Sequence, residues 1–189
     1  MNSVTAADRQ PWLVVIDPQR VFADPDSEWA AADFDQIVAP IQTLAEKYRG
    51  RVIVTRWLPA RDRAGSWGAY FEAWPFADQP DDHPLFELVD FAAELAAGPP
   101  LDERTFGKFG AQLVERTGPQ PHLVLTGVAT DCCVISTALA AADAGATVSV
   151  VADACAGSSE SNHRAALQVM GLYSPQITVV GTVAELGSG

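Results

Sequence analysis

Apolar runs of strand length recur along the chain, and none of them alternates cleanly between apolar and polar positions. Strands buried on both faces have this pattern, which is typical of a parallel sheet. The runs are rich in β-branched residues and lie at Trp12–Ile16, Val52–Thr55, Leu123–Thr126 and Thr147–Val151, with a shorter, weaker run at Ile177–Val180. We predict that they form one sheet.

Between most of these runs, apolar residues follow the spacing of an α-helix, and a glycine stands just beyond each helical pattern. Four helices are predicted: Phe34–Tyr48, Phe86–Ala97, Cys133–Ala144 and Glu160–Met170. The alternation of strand and helix predicts an α/β fold with three layers, α/β/α, around a doubly wound, mainly parallel, Rossmann-like sheet. The length suits a single domain over residues 1–189, with a core at about 12–180.

One segment breaks the alternation. Residues 57–84 are rich in Trp, Pro, Gly and Asp, and they are too many for an ordinary connection between a strand and a helix. The six aromatic residues of this segment favour an ordered structure. We interpret it as an ordered excursion that covers a pocket or a subunit interface.

Composition narrows the possible partners. The formal net charge of −12 disfavours nucleic acid and anionic membranes, because a phosphate-rich partner needs a basic surface. Residues 1–10 lack a signal-peptide pattern, and no apolar run reaches the roughly 18 residues of a membrane span. Two of the three cysteines are adjacent and no CxxC pair is present, so we expect reduced thiols in a cytoplasmic protein.

Polar residues directly after a strand are candidates for a site, because ligands of open α/β sheets bind beyond the carboxyl ends of the strands. Asp17 follows the first predicted strand, and Trp57 lies just beyond the second. The segment GVATDCCV, which ends in Cys133-Val134, follows the predicted strand at Leu123–Thr126. These residues should therefore meet at one edge of the sheet.

The segment GVATDCCV suits a nucleophile at the start of a helix. A thiol in the first turn, with Thr130 or Asp131 as the cap, faces unpaired N–H groups and the positive end of the helix dipole, which favour the thiolate. The alternative is that Cys132 and Cys133 are two small residues of the core.

Asp17 and Lys108 would complete such a site. A carboxylate that ends a buried strand is costly unless it is paired or used, and opposite a thiol Asp17 would accept the proton. Lys108, in the segment ERTFGKFG, would stabilise the negative charge. The competing interpretations are a turn formed with Pro18 for Asp17 and a solvated surface residue for Lys108.

Three motifs together resemble the isochorismatase-like (cysteine hydrolase) superfamily, which includes nicotinamidases and related amidases. They are DPQRVF after the first strand, TFGKFG before a helix, and GVATDCCVISTALAAADAG after the Leu123–Thr126 strand. The resemblance spans nearly the whole chain and implies the fold of that superfamily. It assigns the catalytic carboxylate to Asp17 and the nucleophile to Cys133, with Cys132 in the variable position of the T-D-x-C-V pattern.

The resemblance also implies how the rest of the site is built. A cis peptide bond between Val128 and Ala129 is expected, with the amides of Ala129 and Cys133 as the oxyanion hole. Gln19, Phe22 and Trp57 are the implied pocket wall, in contact with substrate.

The catalytic lysine of the superfamily falls out of register in this chain. Members commonly place it three residues before an aromatic, and that register puts Glu103 where the lysine is expected. Lys108 stands five residues downstream, and we assign the role to it, with Arg104 as the alternative.

The function implied is hydrolysis of an amide-like C–N bond of a small molecule through a thioester on Cys133, without a cofactor. No metal is expected, because the stretch after the second strand has no histidine before His83, unlike nicotinamidases. A homo-oligomer, a dimer or a tetramer, is implied as well.

The alternatives are a non-catalytic binding or scaffold member of the same fold and an isochorismatase-type vinyl ether hydrolase. A dinucleotide-dependent oxidoreductase is disfavoured because DPQRVF replaces the GxGxxG turn.

Overall fold

A computed structural model describes residues 10–96 and 98–187. Six parallel strands form one sheet in the order β3-β2-β1-β4-β5-β6. Their bounds are β1 Trp12–Ile16, β2 Val52–Trp57, β3 Leu101–Glu103, β4 His122–Val128, β5 Thr147–Ala156 and β6 Ile177–Val180. The strand order reverses between β1 and β4, and ligands of such sheets bind at this switch point.

Seven α-helices lie in the described part of the chain, with a π-helical turn at Thr130–Val134 directly before the sixth. The helices are α1 Arg20–Ala23, α2 Phe34–Lys47, α3 Ser66–Ala73, α4 Asp90–Ala93, α5 Ala111–Thr117, α6 Ile135–Asp143 and α7 Glu160–Gly171. Short 3₁₀ turns lie at Pro75–Ala77, Pro84–Phe86 and Val183–Gly187. Within the described residues no helix is both long and apolar enough to cross a bilayer.

The sheet is buried on both faces, because side chains of a strand point alternately to its two sides. In β1, Leu13 and Val15 belong to the core shared with α2, whereas Val14 and Ile16 belong to the core shared with α5, α6 and α7. All four side chains are fully buried. This arrangement confirms the predicted α/β fold, with the helices in two layers around a parallel sheet.

The predicted strands are all present, and the sequence missed β3, which is three residues long. The predicted helix Phe86–Ala97 is wrong: it is reduced to α4, and Ala97 lies outside the described residues. The segment before α4 is extended because its backbone pairs with the loop after β1. Val89 N–H donates to Pro18 O, and Leu88 forms a bridge with Gln19.

The predicted helix Cys133–Ala144 begins differently from the expectation. The π-helical turn precedes α6, and neither Thr130 nor Asp131 caps it with its side chain. Asp131 instead accepts hydrogen bonds from the backbone N–H and the hydroxyl of Ser158, at 2.8 and 2.7 Å. Thr130 contacts His163 of α7. The side chains of Thr130 and Asp131, the two predicted caps, therefore both connect this turn to the start of α7.

Candidate active site

Asp17 follows β1 directly, with a backbone φ of 48°, in the left-handed region that aspartate tolerates better than most residues. Across the switch point, Ile16, the residue before Asp17, pairs with Gly127 of β4, whose φ is 100°. A Cβ at Gly127 would lie 2.2 Å from the carbonyl oxygen of Ile16, so no larger residue fits there. The close approach of the two backbones fixes where the Asp17 side chain begins.

The carboxylate of Asp17 is fully buried and held on two sides. The Thr55 hydroxyl, at the end of β2, donates to Oδ1 at 2.7 Å and accepts from the Asp17 N–H at 3.1 Å. Nζ of Lys108 lies 2.9 Å from Oδ2 in an ion pair. The angles of that approach are not those of a hydrogen bond, and Oδ2 has no other partner within the described residues. The two carboxylate oxygens therefore face different partners, Oδ1 the Thr55 hydroxyl and Oδ2 the Lys108 ammonium.

Lys108 is fully buried although it lies in the loop between β3 and α5. Its N–H donates to the Thr137 hydroxyl at 2.9 Å, and that hydroxyl donates to the Cys133 carbonyl oxygen at 2.7 Å. Its ammonium also donates to the Thr105 carbonyl oxygen at 2.9 Å. Thr137 thus fixes the lysine loop against the turn that carries Cys133.

Cys133 lies in the π-helical turn, and 2% of its surface is exposed. The turn is fastened to the start of α7 by a 2.8 Å contact between Thr130 Oγ1 and His163 Nδ1 and by the Asp131–Ser158 hydrogen bonds. Electrostatic interactions couple its thiol to Asp17 and Lys108. Asp17 and Lys108 are thus in contact with each other, and the charges of both act on the Cys133 thiol.

The loop before the turn has the expected backbone form, since the peptide bond between Val128 and Ala129 is cis. The amides on either side of Cys133, those of Cys132 and Val134, donate to the Ala129 carbonyl oxygen at 3.0 and 3.1 Å. These hydrogen bonds wrap the backbone around Cys133 and order the amides beside its sulfur.

The electrostatics of the thiols differ from the sequence expectation. The pKa of Cys133 is raised well above its usual range. The largest cause is its hydrogen bond with the Cys132 side chain, and burial and the negative charge of Asp17 raise the pKa further. The pKa of Cys132 is lowered, chiefly by the same interaction. The expectation that the helix start favours a Cys133 thiolate is therefore wrong for the resting site. Cys133 is a thiol there and needs a base.

Alkylation should follow this order of thiols. Near neutral pH we expect iodoacetamide to modify Cys132 first, then Cys133, and Cys155 most slowly, because the thiolate is the reactive form. Burial raises the pKa of Cys155, whereas Cys132 is partly exposed. Peptide mapping by mass spectrometry over a time course measures the three rates. Modification of Cys133 ahead of Cys132 would contradict the raised pKa.

A cavity of about 340 Å³ opens beside Cys132 and Cys133. This volume is at the lower end for small-molecule sites. Besides the two cysteines, six aromatic residues, two carboxylates and three small residues line it: Phe22, Trp29, Trp57, Tyr70, Trp74, Phe106, Glu28, Asp131, Ala30, Ala129 and Ser158. The excursion at residues 57–84 therefore covers a pocket, the first of its two interpretations.

Two of the three residues predicted to contact substrate, Phe22 and Trp57, line this cavity. Gln19 does not, because its side chain is fully buried behind the wall. Its amide donates to the carbonyl oxygens of Trp57 and Phe86 at 3.0 and 2.9 Å and accepts from the Trp57 N–H at 2.7 Å. Gln19 thus positions Trp57 and has no free group for a substrate.

Arg104, the alternative to Lys108, points elsewhere. Its guanidinium forms two hydrogen bonds with the Asp81 carboxylate, at 3.0 and 2.5 Å, and one with the Pro59 carbonyl oxygen. Glu103, in the expected register of the lysine, accepts a hydrogen bond from Gln112. Among these candidates, Lys108 is the one that reaches Asp17.

Sequence reasoning missed several residues of the site. Thr55 holds Asp17, and Thr137 holds the Lys108 loop. In the sequence, each threonine looks like an ordinary residue of a strand or a helix. Trp29 and Phe106 line the cavity from outside residues 57–84. One signal was present: Thr137 stands four residues after Cys133, within reach of its carbonyl oxygen along a helix.

Comparison with known families decides the relationship. The model of the isochorismatase domain matches residues 11–185 of the chain. The chain belongs to the isochorismatase family. Members of this family are hydrolases, so a general hydrolase function goes with the membership. A comparison of the sequence with curated proteins finds no significant match.

Solved structures similar to this isochorismatase-family chain share its fold at low identity. An isochorismatase family protein from Desulfovibrio vulgaris has 22% identity and a TM-score of 0.79, with 95% of this chain and 97% of that chain covered. A cysteine hydrolase from Pseudomonas syringae has 21% identity and a TM-score of 0.75, with 93% and 90% covered. A pyrazinamidase/nicotinamidase from Streptococcus mutans has 23% identity and a TM-score of 0.68, with 90% and 100% covered.

Proposed function

We propose that this protein hydrolyses an amide-like C–N bond of a small molecule through a covalent thioester on Cys133. The observation that carries the proposal is the fully buried ion pair between Asp17 and Lys108, 2.9 Å apart, whose charges act on the buried Cys133 thiol in the wall of a cavity. Burying two charges is costly, and the cost is accepted most readily where they are used. The names of the cysteine hydrolase and of the pyrazinamidase/nicotinamidase above support the same chemistry.

Acylation uses Asp17 as a base and then as an acid. As the Cys133 sulfur attacks the carbonyl carbon, its proton passes to Oδ2 of Asp17, and the carbonyl π electrons move to the oxygen. The amides of Ala129 and Cys133 stabilise this oxyanion. When the tetrahedral intermediate collapses, the C–N bond breaks and the leaving amine takes the proton from Asp17.

Deacylation repeats the proton transfers with water. Asp17 accepts a proton from the water that attacks the thioester carbon, the C–S bond breaks, and Cys133 takes the proton back. The ammonium group of Lys108 stabilises the site when the negative charge moves from Asp17 to the sulfur or the substrate oxygen.

Trapping the acyl-enzyme tests the proposal. Ammonia release from a panel of small primary amides identifies a substrate, and acid-quenched samples are then analysed by intact-protein and peptide mass spectrometry. We expect an adduct of the acyl mass on Cys133 and none in Cys133→Ser, whose ammonia release should fall by at least about 10³-fold. Added hydroxylamine should divert the product to the hydroxamate.

Cys155→Ser is the matched control, because Cys155 is buried outside the cavity. It should form the adduct like the wild type. An adduct on Cys132, or turnover by Cys133→Ser at the rate of the control, would show that Cys133 is not the nucleophile.

A further inference from the structure

The cavity beside Cys133 has an unusual charge balance. Six aromatic side chains and two carboxylates, Glu28 and Asp131, line it, and none of the lining residues that the structure describes is a lysine or an arginine. Lys108 lies nearby, but it is fully buried and its charge is balanced by Asp17. An anionic ligand would therefore meet two negative charges and no free positive charge.

The aromatic side chains surround the space from several directions. Trp29 is their centre, with its ring centroid 5.3 Å from that of Trp57, 5.9 Å from Tyr70 and 5.8 Å from Trp74. These three rings meet Trp29 at 44° to 75°, whereas Phe22 stacks on it at 9°. Aromatic rings of different orientation therefore line one cavity, and such rings attract a cation through their π systems.

The two carboxylates reinforce this preference. Both oxygens of Asp131 accept hydrogen bonds from Ser158, which carries no positive charge that would offset the carboxylate. Glu28 is exposed at the cavity, and the described residues include no basic partner within ion-pair distance of it. The net charge of −12 also favours the approach of cations over anions.

We propose that the small amide hydrolysed here carries a positive charge, a substituted ammonium group that binds among the aromatic rings while its carbonyl group reaches Cys133. This inference rests on the proposed function and names its substrate class. The ammonium interacts with the ring faces and with the two carboxylates, and the volume of about 340 Å³ limits the substrate to a small molecule.

An isosteric pair of probes isolates the charge. Choline and 3,3-dimethyl-1-butanol have the same shape and differ in a quaternary nitrogen against a quaternary carbon. Binding of each to Cys133→Ser protein is followed by tryptophan fluorescence and by saturation-transfer NMR. We expect choline to bind about tenfold more tightly than the alcohol. Equal affinities, tighter binding of the alcohol, or no choline binding at high millimolar concentration would each overturn the inference.

Variants place the choline in this cavity. Trp74→Leu removes one aromatic face but keeps an apolar side chain, and the preference for choline over the alcohol should fall about threefold. Trp12→Leu is the matched control, because Trp12 begins β1 at the end opposite Asp17 and should leave the preference unchanged. A preference unchanged in Trp74→Leu would place the cation elsewhere and overturn the inference.

Turnover completes the test. Glycine betaine amide and 3,3-dimethylbutanamide are a second isosteric pair, and kcat/KM for the charged amide should exceed that for the neutral one. Glu28→Gln should lower this ratio, whereas the exposed Glu115→Gln, with the same loss of charge, should not. The two proposals fail separately. Selective choline binding without an adduct on Cys133 would contradict the proposed reaction but not the substrate class. An adduct on Cys133 without charge selectivity would contradict the substrate class but not the reaction.

Discussion

Replacing Asp17 with asparagine is expected to lower kcat by about 10²–10⁴-fold. The raised pKa of Cys133 means that the thiol is protonated at rest, so attack requires a base. The Asp17 carboxylate is the base of the proposed reaction, and an amide is not basic enough to replace it. Asparagine has the shape of aspartate and its oxygen can still accept the Thr55 hydrogen bond, so the substitution keeps that contact.

The measurement is steady-state hydrolysis of the amide identified in the panel, with the fold of each variant checked by near-UV circular dichroism. Asp153→Asn is the matched control: Asp153 lies in β5 near the same end of the sheet, and its carboxylate accepts a hydrogen bond from the Val183 N–H. It should keep the wild-type kcat. A folded Asp17→Asn enzyme with wild-type kcat would assign the base to another residue.

Asp17 and Cys133 could be predicted because their positions depend on local sequence. Each follows a buried strand near the switch point, and a strand end can be recognised from the apolar run before it. The order of the strands brings such residues together without knowledge of any side-chain contact. The parallel sheet was predictable for the same reason, since its buried strands are continuous apolar runs.

Residues whose roles depend on distant backbone were harder to predict. Gln19 has the polar character of a substrate contact, yet the carbonyl groups that it binds, those of Trp57 and Phe86, lie 38 and 67 residues away. The register of Lys108 depends on the path of the loop after β3, a strand too short to give a pattern. Its place was decided by Thr137, whose hydroxyl fixes the loop.

The ionisation state of Cys133 was also beyond local sequence. A helix start favours a thiolate, and the sequence contains that argument in full. Burial of the thiol, its interaction with Cys132 and the charge of Asp17 act in the opposite direction, and all of them arise from the folded environment. The tertiary surroundings outweigh the helix dipole because the thiol is almost completely removed from water.

The second large effect concerns stability. Replacing Lys108 with methionine is expected to lower the free energy of unfolding by about 3–5 kcal/mol, because it leaves the buried Asp17 carboxylate without its countercharge. Asp17→Asn should be destabilising by a similar amount for the opposite reason. The double variant Asp17→Asn/Lys108→Met removes both charges, so it should recover most of the loss.

Urea unfolding of the wild type, both single variants and the double variant measures this cycle. Lys47→Met is the control, because Lys47 and Lys108 are the two lysines of the sequence and Lys47 is exposed. It should change the free energy of unfolding little. Additive losses in the double variant would mean that the two charges do not stabilise each other.

The double variant also separates the two reasons for keeping a buried ion pair. If the pair served stability, replacing both charges with uncharged side chains of similar volume would lower the free energy of unfolding. In many proteins two buried charges cost more to desolvate than their attraction returns, so such a replacement is neutral or stabilising. We expect the double variant to be stable and inactive. Such a result would mean that the fold keeps the buried charges for the reaction and not for stability.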